Sequence, residues 1–301
     1  MSRVFDALQR SGAEQSGVEY PDMMSMVTQL FEPRAPEASE LAPADQAAAS
    51  PAPSVGAETT DAKVTPIEKF PSLKVRVHAA SRLVVFTEPD SLAAEKFRFL
   101  GVRLRQLQQS RPLKKVLVTS TIPEEGKSLI SANLAGVFAR RQQKVLLIEG
   151  DLRRPVLARQ FGLGHLAGLG EWLQGGAQAI SNIYHLEGPN FWLMPAGDPP
   201  TNPLELMQSG RLSQLIAQLS DLFDWIVVDS PPLLPLADTT VWARLTDGAL
   251  LVAREGKTEK GALQRGLEIL KKSDLLGVVL NGCASSDYKN YYQRYSSSEP
   301  K

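Results

Sequence analysis

The chain has 301 residues, 43% of them hydrophobic, and its 33 lysine and arginine residues balance 33 aspartate and glutamate residues. The zero net charge argues against a nucleic-acid partner, and a single cysteine, Cys283, excludes an internal disulfide framework. The three histidines lack zinc-ligand spacing, and neither a signal peptide nor a run of about 18 apolar residues is present. We therefore expect a cytoplasmic protein.

The first part of the chain divides into two segments. Residues 1–32 contain two short apolar-periodic pieces, RVFDALQR and DMMSMVTQLF, which predict short helices. Residues 33–66 are rich in alanine, proline and acidic residues, and such a composition buries too little apolar area to offset the entropy of ordering. We expect residues 33–66 to be a disordered tether.

Residues 67–283 show the pattern of a folded domain. Near residue 90 a helix is predicted, with Asp90 or Ser91 as its cap, because apolar residues recur at helical spacing. Helical patterns then alternate with apolar, strand-like runs, namely KKVLVTS, KVLLIE, NFWLMPA, DWIVVDS, GALLVARE and LLGVVLNG. Strands that are apolar on both faces and separated by helices predict an α/β fold, doubly wound, with a mostly parallel sheet covered on both sides.

A phosphate-binding loop is predicted at residues 121–128. The segment TIPEEGKS follows a predicted strand, precedes a helix and fits G-x-x-x-x-G-K-[ST], except that threonine holds the first glycine position. Lys127 would reach the β- and γ-phosphates of ATP, and the Ser128 hydroxyl would ligate Mg²⁺. The expected nucleotide-binding residues here are Thr121, Pro123, Glu124, Glu125, Gly126, Lys127, Ser128 and Leu129.

Acidic residues end two of the predicted strands. Glu149 and Asp151 follow VLLI, and Asp229 follows WIVV. Because a parallel sheet places its ligand crevice at the carboxyl ends of its strands, these acids are expected near the phosphate loop. We expect Asp229 to hold Mg²⁺ through water.

The end of the chain, residues 284–301, is predicted to be a mobile tail. It carries four of the six tyrosines, Tyr288, Tyr291, Tyr292 and Tyr295, which alternate with polar residues rather than with aliphatic ones. Such a cluster of phenols is a good phosphoryl acceptor.

These motifs resemble those of the bacterial tyrosine kinases of capsule and exopolysaccharide synthesis, which are P-loop proteins of the deviant Walker type. The likeness covers the Walker A loop, the acidic segment at 149–153 (Walker A′), the Walker B segment at 229–232, and the tyrosine cluster. The resemblance implies an ATP-dependent, non-specific protein-tyrosine kinase that phosphorylates its own tail and regulates polysaccharide polymerisation and export.

The resemblance also implies roles for particular residues and partners. Lys127, Arg153, Glu149 and Asp151 would be catalytic, with Asp151 orienting the phenol, while Glu149, Ser128 and Asp229 would face Mg²⁺. Asn281 would contact the purine. The implied partners are a membrane polysaccharide co-polymerase that recruits the kinase to the inner face of the membrane, further copies of the chain, and a phosphotyrosine phosphatase.

Three residues depart from the family pattern. Glu124 stands where the family usually has glycine, so its charge must avoid the triphosphate. Glu149 replaces the first aspartate of the acidic segment, which leaves open whether Glu149 or Asp151 contacts Mg²⁺ or the incoming phenol. The assembly motif E-x-x-R-x-x-R begins at Glu95 and Arg98 but has Gly101 at its third position, with Arg103 or Arg105 as imperfect substitutes.

Two other functions compete with the kinase. A partitioning ATPase of the ParA or MinD type has a similar fold, but its signature lysine would fall at Ile122. A non-catalytic adaptor that binds nucleotide weakly would accommodate Glu124 and Glu149.

Overall fold

The structure is a computed structural model, and it describes residues 69–175, 179–271 and 273–283. The predictions for residues 1–32, for the tether at 33–66 and for the tyrosine-rich tail at 284–301 lie outside the described residues. The domain boundaries therefore stay predictions.

Within the described residues, eight strands form one sheet. They are β1 (Ser72–Lys74), β2 (Lys115–Ser120), β3 (Val145–Glu149), β4 (Tyr184–Glu187), β5 (Phe191–Met194), β6 (Trp225–Asp229), β7 (Gly248–Arg254) and β8 (Leu275–Asn281). Their spatial order is β1-β4-β5-β3-β6-β2-β7-β8, and every neighbouring pair is parallel except β4 with β5. The predicted, mostly parallel sheet is confirmed, whereas β1 and β4 were not predicted.

Nine α-helices connect these strands in the described part of the chain. They are α1 (Val84–Thr87), α2 (Leu92–Ser110), α3 (Lys127–Ala139), α4 (Leu157–Gln160), α5 (Leu169–Leu173), α6 (Pro203–Gln208), α7 (Arg211–Leu222), α8 (Asp238–Leu245) and α9 (Lys260–Leu270). Single 3₁₀ turns lie at Ala79–Ser81 and Ala179–Asn182. Ser91 caps α2, because its hydroxyl accepts the Ala94 N–H at 3.1 Å. No described helix combines the length and the apolar character needed to cross a membrane.

The core surrounds the central strands on both faces. In β2, Val116 and Val118 pack into the cluster that includes Phe138 of α3, while Leu117 is equally buried between them. Phe138 in turn stacks on Trp225 of β6, with ring centroids 4.2 Å apart. Burial of consecutive residues is the expected signature of a sheet covered on both sides, and it confirms the doubly wound architecture.

The topology brings the predicted site residues to one edge. Strands β3, β6 and β2 are adjacent and parallel, and their carboxyl ends carry Glu149, Asp229 and the loop at 121–126. Glu149 and Asp229 are register partners. The sheet therefore builds a crevice where a parallel α/β protein binds its ligands.

Candidate active site

The loop between β2 and α3 is organised by its own buried carboxylate. Both Glu125 oxygens accept the Thr121 hydroxyl at 2.9 Å, Oε2 accepts the Ile122 N–H at 3.0 Å, and the Thr258 hydroxyl also donates to this group. Glu125 is fully buried. Its position indicates that it shapes the loop, which is a different role from the predicted contact with nucleotide.

Asn281, at the end of β8, packs against the same loop. Its Nδ2 donates to the Glu125 carbonyl at 2.9 Å, and a Cβ added to Gly126 would lie only 2.1 Å from that nitrogen. Gly126 has φ +100°, in the left-handed region that favours glycine. Asn281 therefore fixes the turn that starts α3, and its predicted contact with a purine stays a prediction.

Glu124 lies in the left-handed region, with φ 65°, and its charge points out of the loop. Its carboxylate pairs with Lys257 Nζ at 2.7 Å, and this bond lowers the pKa of Glu124. Arg254 donates to the Glu124 carbonyl at 3.2 Å. The Lys257 pair gives the Glu124 carboxylate a partner outside the loop, and the avoidance of a triphosphate stays a prediction.

Lys127, the first residue of α3, is the central cation of the site. Its Nζ lies 3.0 Å from Asp151 Oδ2, and both side chains are almost fully buried. Burial opposes the charge of Lys127, but Asp229, Asp151 and Glu149 outweigh it and raise the pKa of Lys127. The residue is thus held as a cation between carboxylates.

Asp229, at the end of β6, is a fully buried carboxylate with a free acceptor. Ser131 donates to Oδ1 at 3.2 Å, whereas Oδ2 has no hydrogen-bond donor among the described residues. Burial raises the pKa of Asp229 to about 6, although Lys127 and Ser128 act in the opposite direction. A buried oxygen without a donor, beside the Ser128 hydroxyl, suits an oxygen-ligated divalent cation.

Glu149 is the register partner of Asp229, yet its oxygens are occupied. Oε1 accepts the N–H groups of Val156 and Leu157, and Oε2 accepts the Ala196 N–H at 3.1 Å. Burial raises the pKa of Glu149, and these three amides offset part of the rise. Backbone amides thus engage both oxygens of Glu149, and whether Glu149 or Asp151 contacts Mg²⁺ or the phenol stays a prediction.

Arg153 is anchored by a residue that sequence reasoning missed. Its Nε and Nη2 donate to the two oxygens of Asp238, at 2.7 and 3.3 Å, and Asp238 is almost fully buried at the start of α8. Gly150 was also missed: a Cβ there would lie 2.6 Å from the Trp242 indole nitrogen. Both contacts join residues that are more than 80 positions apart in the sequence, so no local pattern predicts them. The one signal for Asp238 in the sequence is its position as a charged residue at the start of a predicted helix.

A cleft of about 510 Å³ lies in front of these groups. The predicted residues that line it are Pro123, Glu124, Gly126, Lys127, Ser128, Leu129, Asp151 and Arg153. Thr121, Glu125, Glu149 and Asp229 lie buried beside it, and Asn281 lies behind the loop. The structure therefore brings the predicted phosphate-binding and acidic residues into one region.

The third position of the assembly motif has a structural reason to be glycine. Gly101 is buried in α2, and a Cβ there would lie 2.5 Å from Val137 Cγ1 of α3. Glu95 and Arg98 form an i,i+3 ion pair at 2.8 Å. Arg105 is partly buried, which lowers its pKa, so Arg103 is the more accessible of the two substitutes.

Comparison with known proteins identifies relatives of this chain in sequence and in structure. The chain is 36% identical over 230 residues to the tyrosine-protein kinase YwqD of Bacillus subtilis, covering 73% of this chain and 95% of that protein. Among solved structures, the chimerical protein CapA2B2 matches with a TM-score of 0.65 and 28% identity, covering 72% of this chain and 96% of that one.

The kinase domain of the Escherichia coli tyrosine kinase ETK also matches with a TM-score of 0.65, at 31% identity, covering 68% of this chain and 83% of that domain. No protein-family model matches the chain.

Proposed function

Because the chain belongs to the family of bacterial tyrosine-protein kinases, we propose that it transfers the γ-phosphoryl group of ATP to tyrosines of its own tail. The acceptors are Tyr288, Tyr291, Tyr292 and Tyr295, presented by a neighbouring copy. The observation that carries this proposal is the position of Lys127 at the start of α3, held 3.0 Å from Asp151 and beside Asp229.

The loop at 121–128 binds the phosphates of ATP in this proposal. The N–H groups at the start of α3 point toward an anion, and Lys127 leaves Asp151 to neutralise the β- and γ-phosphates. Arg153 adds positive charge at the cleft while Asp238 fixes its orientation.

Ser128 and Asp229 would hold Mg²⁺. Asp229 has a buried oxygen without a donor, and Ser128 supplies a hydroxyl at the helix start, so the donor set fits a hard cation that prefers oxygen ligands. When bound, the metal neutralises the charge that develops on the phosphates. We assign Glu149 no ligand role, because backbone amides engage both of its oxygens.

The reaction needs little covalent help from the protein. The phenol oxygen forms a bond to the γ-phosphorus, the bond to the bridging oxygen breaks, and ADP leaves with that electron pair, while the phenol proton passes to Asp151 as the new bond forms. Asp151 accepts a hydrogen bond from the phenol and orients it, since a carboxylate is too weak a base to ionise a phenol fully in advance. Positioning and charge neutralisation supply most of the rate enhancement.

The cellular role follows the family and stays part of the proposal. We propose that the kinase regulates the polymerisation and export of an exopolysaccharide or capsule. A membrane polysaccharide co-polymerase would activate it and recruit it from the cytoplasm to the inner face of the membrane, copies of the chain would associate, and a phosphotyrosine phosphatase would reverse the reaction. The chimera CapA2B2 is the structural match that supports pairing with a partner polypeptide.

The two alternatives receive less support. A partitioning ATPase lacks its signature lysine, since that position is Ile122, and the relative reported above is named a tyrosine-protein kinase. A non-catalytic adaptor was motivated by Glu124 and Glu149, but Glu124 faces Lys257 and Glu149 faces backbone amides. Neither carboxylate is therefore positioned to weaken nucleotide binding, as a non-catalytic adaptor would require.

One assay separates the three functions. The purified full chain is incubated with Mg²⁺ and ATP, then blotted for phosphotyrosine and assayed for free phosphate, with Lys127→Met in parallel. A kinase yields phosphotyrosine that depends on Lys127. Free phosphate without phosphotyrosine would indicate the ATPase, and neither product would indicate the adaptor.

A further inference from the structure

A second, larger groove lies on another face of the same domain. It has a volume of about 910 Å³ and runs between α2 and the edge strand β8. Its apolar walls include Phe97, Phe99 and Leu100 of α2 and Val278 of β8. The Phe99 side chain is 62% exposed and that of Val278 is 41% exposed, so this apolar surface is available to a ligand.

The charged residues that line the groove are all cationic. They are Lys96 and Arg103, and no aspartate or glutamate lines it among the described residues. Arg103 lies over the Phe99 ring at 5.5 Å. Within the described part of the chain neither cation forms an ion pair with a carboxylate. An apolar floor with two available cations suits a ligand that joins an aromatic ring to an anion.

The chain itself delivers such a ligand to this place. Asn281, Gly282 and Cys283 line the groove, so residues 284–301 begin at its wall. Tyr288 follows Cys283 by five residues, a reach of at most about 18 Å at full extension. The other three tyrosines follow within the next seven residues. Every tyrosine of the tail can therefore reach the groove without leaving its own chain.

We propose that the groove between α2 and β8 binds the phosphorylated tyrosine tail of its own chain. An aromatic ring packs on Phe99 and Val278, and its phosphate pairs with Lys96 and Arg103. This inference rests on the proposed function, because that reaction is the source of the phosphate. It assigns the groove to the reaction product, whereas the cleft at Lys127 takes the substrate.

Charge decides in favour of the phosphorylated form. A phosphotyrosine carries about −1.5 to −2 charges and three acceptor oxygens, and a phenol carries neither. The unmodified tail is nearly neutral, since Asp287 and Glu299 offset most of the charge of Lys289, Arg294 and Lys301, so it offers Lys96 and Arg103 no strong electrostatic attraction. Phosphorylation therefore moves the tail from the substrate cleft of a neighbour to the groove of its own domain.

Direct binding tests the groove without any need for catalysis. The protein is the full chain with Lys127→Met, and the probes are fluorescein-labelled peptides of residues 284–301, unmodified or phosphorylated at Tyr291 and Tyr295, followed by fluorescence anisotropy. We expect the phosphopeptide to bind at least about tenfold more tightly. Lys96→Gln with Arg103→Gln should remove this difference, and Phe99→Ser should weaken both peptides.

The matched control is Lys74→Gln with Arg76→Gln, which removes two exposed cations beside β1 at the opposite edge of the sheet and should change nothing. Equal affinity for the two peptides, or a preference that survives Lys96→Gln with Arg103→Gln, would overturn the proposal. Because the phosphopeptide is synthetic, a chain that makes no phosphotyrosine would refute the proposed function and leave this test intact.

A second arm establishes which tail fills the groove. Wild-type protein that has autophosphorylated should exclude the phosphopeptide, and phosphatase treatment should restore binding. Exclusion that is the same at about 0.1 and 10 μM protein indicates the tail of the same chain. Exclusion that disappears on dilution would show that another copy supplies the tail, and would contradict the proposal.

Discussion

Two neighbouring strand ends carry buried carboxylates that differ in how they are satisfied. Asp229 ends β6 and Glu149 ends β3, and the two are register partners. Glu149 accepts three backbone N–H groups, whereas one oxygen of Asp229 has no donor among the described residues. The fold therefore supplies hydrogen-bond donors to both oxygens of Glu149, whereas it leaves one oxygen of Asp229 available to a ligand.

This difference shows how a structural carboxylate is told from a functional one. Burial alone does not separate them, because both are almost completely buried and burial raises the pKa of each. The separating feature is unfilled hydrogen-bonding capacity. Removing the charge of Asp229 should consequently lower the activity of the protein, whereas removing the charge of Glu149 should chiefly lower its stability.

Lys127→Met should have the largest effect on activity. The change removes the cation that faces Asp151 and Asp229, and autophosphorylation should fall by at least about a hundredfold, the order found for losing one preorganised partner of a developing charge. Phosphotyrosine is measured by blot after incubation with Mg²⁺ and ATP. Lys74→Met on β1 is the control, and a Lys127→Met chain with wild-type labelling would refute the role of the loop.

Asp229→Asn should separate metal binding from stability. Mg²⁺-ATP affinity should fall about 10- to 100-fold, because a group that orients the metal loses its charge. Without ligand the variant should be more stable at pH 8. The folded-state pKa of about 6 lies above the ordinary 3.8, so the folded chain loses stability as pH rises from about 4 to 6.

Thermal melts at pH 4.5 and 8 measure this effect, with Asp221→Asn, an exposed residue of α7, as the control. The melting-temperature gain of Asp229→Asn should be clearly larger at pH 8 than at pH 4.5, where only part of the loss has occurred. An equal gain at both pH values, or no loss of Mg²⁺-ATP affinity, would contradict the assignment.

Glu149→Gln should chiefly lower stability. The glutamine amide keeps one acceptor oxygen, but its NH₂ group replaces the other and faces backbone N–H donors. The loss of these hydrogen bonds should lower the free energy of unfolding by about 1–3 kcal/mol. A domain of this size should lose roughly 2–4 °C in melting temperature for each kcal/mol. Glu268→Gln on α9 removes an equivalent exposed charge and should melt like the wild type. If Glu149→Gln abolished Mg²⁺ binding at unchanged stability, Glu149 would be a ligand after all.

Glu124→Gly should have the smallest effect. Glycine adopts φ 65° freely and removes a carboxylate from the loop, so ATP binding should tighten. The gain should be only about two- to threefold, because Lys257 already neutralises and withdraws this carboxylate. Calorimetric titration with Mg²⁺-ATP measures it. Weaker binding by the variant would indicate that the Lys257 pair supports the loop.

Most of the fold was predictable because local patterns carry it. Strand β2 and helix α3 follow from an apolar run and the GKS turn, and Ser91 caps α2 as expected. Strands β1 and β4 escaped prediction because they have three and four residues and mostly exposed or half-buried side chains. These two strands form because β4 pairs with β5 and β1 pairs with β4, and such contacts are not visible in the local sequence.

The site was predictable in its residues but not in its contacts. Lys127, Asp151 and Asp229 meet as the order of motifs indicated. The partners of Glu124 and Arg153, which are Lys257 and Asp238, are separated from them by 133 and 85 positions, and no local pattern reports such pairs. The backbone N–H groups that donate to Glu149 were not predicted, because no side-chain pattern in the sequence reports backbone contacts.

In the proposed function, the cleft at Lys127 of one copy phosphorylates the tyrosine tail of another copy. The most direct measurement mixes full-length Lys127→Met, which keeps its tail, with a chain in which Tyr288, Tyr291, Tyr292 and Tyr295 are all phenylalanine. After incubation with Mg²⁺ and ATP, intact-mass spectrometry separates the two chains. We predict phosphate on the Lys127→Met chain alone. Phosphate on neither chain, or on the chain without tail tyrosines, where it would lie at Tyr20 or Tyr184, would contradict transfer to the tail of another copy.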